Sequence, residues 1–224
     1  MRGLASKTPL IAAFFCAVFL SGCATKTGSP VTQCPSSTEP ISSVQGSGSE
    51  SPMIGQQVVV QGVVTLIQNG QGLYIEEPGS DSDERTSNAI FIQDSEVPGE
   101  VLPGSFVGVR GKVAETGEGR RPLTTLTEVS EIFPCGPTQA LPLTAINLPL
   151  TSSERESLEG MRISIDGPLV ATDVYRFGRG DFTLSGNGLQ YIPTEVMEPG
   201  PGTAALSASN RAIALPVHMP ESMA

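Results

Sequence analysis

Gly55-Gln56-Gln57-Val58-Val59-Val60-Gln61-Gly62-Val63-Val64 decides the architecture, because its spacing of glycines and branched apolar residues comes back twice. Gly55, Val58, Val60, Gly62 and Val64 recur as Gly104, Val107, Val109, Gly111 and Val113, and again as Gly160, Ile163, Ile165, Gly167 and Leu169. Alternate residues of a strand point to one side, so each copy reads as a strand with one apolar face and a glycine on that face where the chain bends. A glycine so placed curls a sheet towards closure. The pattern speaks to architecture more than to chemistry.

Outward from that stretch, residues 58–68 read as the first strand and Asn69-Gly70-Gln71-Gly72 as a turn. Residues 73–76 and Ala89–Gln93 follow as strands two and three, separated by the acidic loop 77–88. Residues 107–114 form the fourth strand and, after the loop 115–122, residues 123–129 the fifth. Five short strands with a long bent first one predict an all-β fold, an OB-type five-stranded barrel over residues 52–135. An open β-sandwich is the competing architecture. Pro137, Pro142 and Pro149 then mark a connector, and Ser152 or Ser153 is placed to cap a short helix over 154–158. The third copy of the repeat, Asp181–Ser185 and residues 189–193 supply further strands. Residues 136–224 are thus expected as a second, smaller β region packed on the barrel, with an irregular C-terminal tail from Pro199.

Composition agrees with this class. Hydrophobic residues make up 38%, there is no Trp, and 25 Gly and 19 Pro suit many turns. Thirteen basic residues face 23 acidic ones, a formal charge of −10. An acidic surface repels a phosphate backbone at long range, so any nucleic-acid contact must rest on a local basic patch.

Arg2 and Lys7 precede an apolar run over 9–20, too short for a membrane-spanning helix and suited to a signal-peptide core. The run ends in Leu20-Ser21-Gly22-Cys23, which resembles the bacterial lipobox. Residues 1–22 are therefore expected to be a lipoprotein-type signal peptide and Cys23 the lipidated residue, with 23–51 a flexible Ser-, Thr-, Gly- and Pro-rich tether. Ala24 after the cysteine implies an outer-membrane lipoprotein of the bacterial cell envelope, on its periplasmic or surface face. In an oxidising compartment Cys34 and Cys135 are expected to pair, closing a loop of about a hundred residues worth ~2–4 kcal/mol. No CxxC is present, and His218 is the one histidine, without a second ligand at metal spacing.

If Leu73, Ile75, Ile90 and Ile92 point inward, Tyr74 and Phe91 meet on the outer face of strands two and three, the usual ligand face of an OB barrel. Exposed aromatics there stack nucleotide bases at ~1–3 kcal/mol each. Arg110 and Lys112 point outward from strand four, and Arg120 and Arg121 lie in the following loop. The competing reading has Tyr74 and Phe91 covered by the acidic loop or the second region, with the cations paired to Glu76, Glu77 and Glu115. Asp81, Asp83, Glu84 and Asn88 offer oxygen ligands for Ca2+, against a plain solvated loop; Thr86 stands where an EF-hand needs glycine. In Val174-Tyr175-Arg176-Phe177-Gly178-Arg179-Gly180-Asp181-Phe182, aromatics and arginines interleave, either to hold an acidic ligand or to pack the aromatics on the barrel.

The stretches ISSVQGSGSESPMIGQQVVVQGVVT (41–65), GLYIEEPGSDSDERTSNAIFIQD (72–94), PGSFVGVRGKVAE (103–115), LEGMRISIDGPLVATDVYRFGRGDFTLS (158–185) and QYIPTEV (190–196) resemble, in order, the N-terminal non-catalytic region of ExeM/NucH-type extracellular endonucleases. The resemblance covers about 41–212. In that family an endonuclease/exonuclease/phosphatase-type domain follows, whose metal-dependent chemistry needs acidic ligands, an Asn and a pair of histidines, and nothing in this sequence corresponds to it. The lipobox and this resemblance together lead to the expectation of a non-catalytic envelope lipoprotein with a binding module for single-stranded DNA, or for a nuclease or other envelope protein, and no cofactor. A structural adaptor without nucleic-acid affinity, and a fragment of an extracellular endonuclease, are the alternatives.

Overall fold

The computed structural model describes residues 34–79, 83–117 and 122–219, which fall within one unit, Thr32–Ala224. The signal peptide, Cys23, Asp81, Arg120 and Arg121 lie outside the described residues. A short helix, α1 (Ile41–Gln45), comes first, with Ile41 and Val44 fully buried in the main core. The flexible tether expected over 23–51 is thereby corrected at its C-terminal end. Ser51 Oγ donates to the Val44 carbonyl and Gln45 Nε2 to that of Ala89, so side chains of a polar-looking segment anchor it.

β1 (Gln57–Gln68) pairs with β4 (Phe106–Thr116) through Gln57–Val63 and with β2 (Gly72–Glu76) through Val63–Gln68, both antiparallel. The strand passes from one partner to the other at Val63, beside Gly62. A Cβ built there would lie 3.0 Å from the Glu76 carbonyl oxygen and 3.1 Å from its carbon and nitrogen, which is why only glycine fits the crossing. Gly111 plays the same part on β4, where a Cβ would stand 3.0 Å from the Thr127 oxygen and the register with β5 (Leu123–Gly136) shifts.

β3 (Ala89–Gln93) pairs antiparallel with β2 and parallel with β5. The order β1-β2-β3-β5-β4 returns to β1 and makes a closed barrel. Its interior is filled at period two by Val58, Val60 and Val64 of β1, Leu73 and Ile75 of β2, Ile90 and Ile92 of β3, Val107, Val109 and Val113 of β4, and Leu126 of β5. β5 runs seven residues past the expected end, carrying Cys135 to its bond with Cys34, 4.9 Å between Cα atoms.

The third copy of the repeat does not make a bent barrel strand. Its apolar residues form only β7 (Ile163–Ile165), parallel to β6 (Thr144–Ile146), and Gly167, at φ 100°, with Pro168 ends the strand. What the three copies share is the turn glycine before the strand: Gly55, Gly104 and Gly160 have φ of 82°, 93° and 72°.

Beyond it, β8 (Val170–Asp173), β9 (Asp181–Ser185) and β10 (Leu215–His218) make an antiparallel sheet in the order β10-β9-β8. Helix α2 (Ser152–Glu156) is capped by Thr151 rather than Ser152 or Ser153. Thr151 Oγ1 accepts the Glu154 N–H and Glu154 returns a carboxylate oxygen to the Thr151 N–H, a reciprocal cap that needs Glu three residues on. Residues 189–193 are not a strand, since Pro193 opens helix α3 (Pro193–Val196). The tail is not irregular either: α4 (Pro201–Ile213) starts with proline at its first position and carries four alanines, and β10 follows. Among the described residues no helix is long and apolar enough to cross a membrane.

Candidate functional site

Tyr74 and Phe91 stand directly opposite each other on β2 and β3, ring centroids 4.8 Å apart and planes tilted by 43°. Their neighbours Leu73, Ile75, Ile90 and Ile92 are fully buried inside, so alternation turns Tyr74, Glu76 and Phe91 outward, as the sequence predicts. That outer face is partly covered. Phe91 is only 9% exposed and Tyr74 half-buried, with Gly160 against the tyrosine ring. Burial, and then the neighbouring Glu159 carboxylate, push the Tyr74 hydroxyl pKa above its ordinary value.

The cover is a seam of hydrogen bonds between the barrel and residues 159–162. The Arg162 N–H donates to Glu76 Oε2 at 3.1 Å, Ser87 Oγ donates to the Glu159 carbonyl at 2.6 Å, and the Thr124 N–H donates to Glu159 Oε1 at 2.9 Å. Thr124 Oγ1 also donates to Glu115 Oε1 at 3.0 Å, an oxygen that accepts the Ser51 N–H as well. Glu115 Oε2 is buried without a partner. Burial raises the Glu76 carboxyl, with the Arg162 N–H and guanidinium pulling the other way. Burial likewise pushes Glu159 up to about 7, opposed by the Thr124 N–H and reinforced by Glu156 and Glu115.

A groove runs beside Phe91, whose ring is itself buried. It measures about 680 Å³ and has Phe91 and Gln93 in it, Gly70 and Gln71 of the β1–β2 turn at one end, and Thr116 and Gly117 at the start of the β4–β5 loop at the other. Asp94 and Glu128 line it, with no cation among the described lining residues. Glu128 has φ 47°, in the left-handed region a β-carbon disfavours, where the β5 register shifts.

Of the sequence-predicted cations among the described residues, Lys112 reaches the groove's edge and Arg110 does not. Lys112 Nζ is 2.9 Å from Glu128 Oε1, an ion pair with a partner the sequence reading did not name. Arg110 is exposed on a separate surface, beside Pro35, Glu39 and Val59. Glu39 and Pro35 are held there by the disulfide and by the bonds from the Glu39 N–H to the Val59 carbonyl and from Gln61 Nε2 to the Pro35 carbonyl.

In the acidic loop, both carboxylate oxygens of Asp83 are engaged by Arg85, at 2.8 Å and 2.7 Å, which holds the exposed Asp83 down to about 2. Asp83, Glu84 and Asn88 do share one crevice, where Asn88 is buried with Oδ1 unpartnered. Among the described residues no three His, Cys, Asp or Glu converge as a metal site. In the 174–182 loop, Tyr175 is 94% exposed rather than packed on the barrel, and Phe177 packs edge-on to Phe182 at 5.8 Å. Arg176 and His218 bracket Asp181, at 3.2 Å and 2.7 Å.

The groove's Gln93, Asp94 and Glu128, and the seam of Glu76, Glu115, Thr124 and Glu159, were not singled out as one surface from sequence. Strand alternation puts Glu76 beside Tyr74, but nothing local tells that Glu159 returns to it across 83 positions. Comparison with protein-family models, with curated proteins and with solved structures finds no match to this chain.

Proposed function

We infer that the barrel is OB-type and that the chain is a non-catalytic binding module of a bacterial envelope lipoprotein, anchored through Cys23 in the outer membrane. The observation that carries this reading is the groove over Phe91. It lies between the β1–β2 turn and the β4–β5 loop, across β3 and β5 of a five-stranded barrel ordered β1-β2-β3-β5-β4, beside the face and the loops with which OB barrels hold extended ligands. The ligand is a protein segment with cationic character, a nuclease of the envelope among the candidates. Asp94 lines the groove beside Glu128, whose charge Lys112 offsets, and the formal charge is −10, which opposes a phosphate backbone at long range.

Single-stranded DNA is the second reading, favoured by Phe91 in the groove and by Arg120 and Arg121 in the loop that continues from Gly117. Titrating purified protein with labelled single-stranded DNA and with a labelled Lys/Arg-rich peptide, at 50 and 200 mM salt, separates the two. Peptide binding lost in Phe91→Ala and Glu128→Gln supports the protein-binding module. Salt-sensitive DNA binding lost in Phe91→Ala and in Arg120→Ala/Arg121→Ala overturns it in favour of DNA. Robust cutting of plasmid with Mg2+ or Ca2+ overturns the non-catalytic assignment and makes the chain part of an endonuclease.

A further inference from the structure

We propose that residues 156–162 form a proton-controlled strap over the Tyr74 half of the barrel's outer face, seated when the Glu159 carboxyl holds a proton and released when it ionises. The inference rests on the reading of the β2–β3 face as the binding face, for which the strap sets how much aromatic surface a ligand meets.

The strap is held at its two ends. At one end Glu159 Oε1 accepts the N–H of Thr124, and at the other the Arg162 N–H donates to Glu76, which is 5% exposed. Between them Gly160, at φ 72°, lets the backbone lie on the Tyr74 ring, a contact a side chain would push apart. The seam therefore closes over Tyr74, the more exposed ring of the Tyr74–Phe91 pair, while the buried Phe91 lines the groove beside it.

The charges around Glu159 make this closure proton-dependent. Glu115 reaches the same Thr124 from β4, and its second oxygen is buried without a partner. Glu156 adds negative charge from the end of α2, and Tyr74 faces Glu159 from β2. From α1 comes only the neutral Gln45 side chain. Among the described residues two cations line the crevice beside Glu159: Arg85, paired with Asp83, and Arg155, which donates to the carbonyls of Leu150 and Ala214. Among the described residues an ionised Glu159 thus sits partly buried beside Glu156 and Glu115, with the Thr124 N–H and the Gln45 side chain to answer it.

The sign follows from linkage. The seated carboxyl keeps its proton up to about 7, well above the ordinary 4.5, so seating takes up a proton in that interval and weakens as pH rises through it. Each unit of difference is a tenfold change in the seating equilibrium, and with Glu159 only partly buried, solvent screening leaves an expected effect of about tenfold.

The chain holds three Tyr and no Trp, and Tyr175 and Tyr191 are exposed, so Tyr175→Phe/Tyr191→Phe leaves Tyr74 as the sole emitter of tyrosine fluorescence. Acrylamide quenching of that protein is measured from pH 5.5 to 8.5. The expected result is a several-fold rise in the quenching constant with a midpoint near 7, a low flat profile after Glu159→Gln, and a midpoint moved to lower pH after Glu115→Gln. A flat profile with Glu159 present, or an unchanged rise after Glu159→Gln, overturns the strap. Should Glu159→Gln not fold, hydrogen exchange of segment 157–162 in the parent protein, corrected for intrinsic rates, decides: protection independent of pH overturns it. No ligand enters these measurements, so a barrel that binds nothing fails the titrations above while the strap stands.

Discussion

Gly160 lies against the ring of Tyr74: a Cβ built on it would come within 3.3 Å of Tyr74 Cδ1 and 3.4 Å of the Ala89 Cβ, at a backbone φ of 72°. Both circumstances penalise a side chain, one through left-handed strain and the other through crowding on a half-buried ring. Gly160→Ala is expected to cost about 1–2 kcal/mol and Gly160→Val more, read as urea unfolding midpoints. Tyr74 quenching rises in the same variants. Unchanged quenching would mean that Gly160 does not cover the ring.

At Gly62 the obstacle is backbone rather than a movable ring. A methyl there meets the Glu76 oxygen, carbon and nitrogen at 3.0–3.1 Å, where β1 passes from one partner strand to the other. Gly62→Ala is expected to destabilise by about 1–3 kcal/mol. Gly70→Ala is the control, with φ 73° but nothing within 4 Å, and is expected to cost only about 1 kcal/mol. Equal losses at the two sites would refute the crowding argument.

That contrast shows what the sequence carries. The barrel's interior was legible because Val58, Val60, Leu73, Ile75, Ile90 and Ile92 obey a period of two that needs only local geometry, and because Gly62 and Gly111 interrupt it at the crossings. The outward pairing of Tyr74 with Phe91 follows from the same alternation. The third copy misled, since the turn glycine it shares with the others says nothing of partners, and Ile163–Ile165 finds only the three residues of β6. α4 was hidden by composition: alanine and serine after a proline read as tail, though alanine is the best helix former. The seam at Glu159 was illegible because it joins residues far apart in the chain whose types, Glu, Thr and Ser, are ordinary surface residues.

The Cys34–Cys135 bond spans 101 positions and pins the N-terminal arm over β4, where Gly108 leaves room for the sulfur: a Cβ on it would stand 3.2 Å from Cys135 Sγ. Cys34→Ser/Cys135→Ser is expected to lower stability by about 2–4 kcal/mol, measured by urea unfolding beside the oxidised parent. Gly108→Val, which fills the sulfur's space, is expected to slow formation of the bond during oxidative refolding. A stability loss below about 0.5 kcal/mol would show that the reduced chain already holds the arm in place through Gln61.

Ile41 tests whether α1 belongs to the barrel. It lies in a segment whose composition reads as linker, yet it is fully buried in the same cluster as Val60 and Leu126. Ile41→Ala is expected to cost about 2–5 kcal/mol, as for any large aliphatic removed from a packed core. Ser37→Ala, exposed a few residues earlier, is expected to be neutral. Equal, negligible effects would return residues up to 51 to the tether.

Stability should also depend on pH, with a sign that the carboxyl groups fix. Glu76 and Glu159 have carboxyls raised by burial, so the folded state retains their protons where the unfolded chain has released them. Their contribution is whole below the ordinary carboxyl range and is lost as pH rises, for Glu159 through about 7. Asp83, Asp181 and Glu154 are shifted the other way by Arg85, His218 and Thr151, and their contributions fail only as pH falls below the ordinary range, for Asp83 towards about 2. The two sets leave the maximum on the weakly acidic side, and the melting temperature is expected to fall by a few degrees, about 2–4 °C, between pH 5 and pH 8. Glu159→Gln should remove most of that slope while leaving the acid limb untouched, because the acid limb belongs to groups outside the seam. A melting temperature that rises over the same interval would mean that Glu159 is ionised in its seat and answered by a cation, and the seam would then hold by charge pairing instead of by a retained proton.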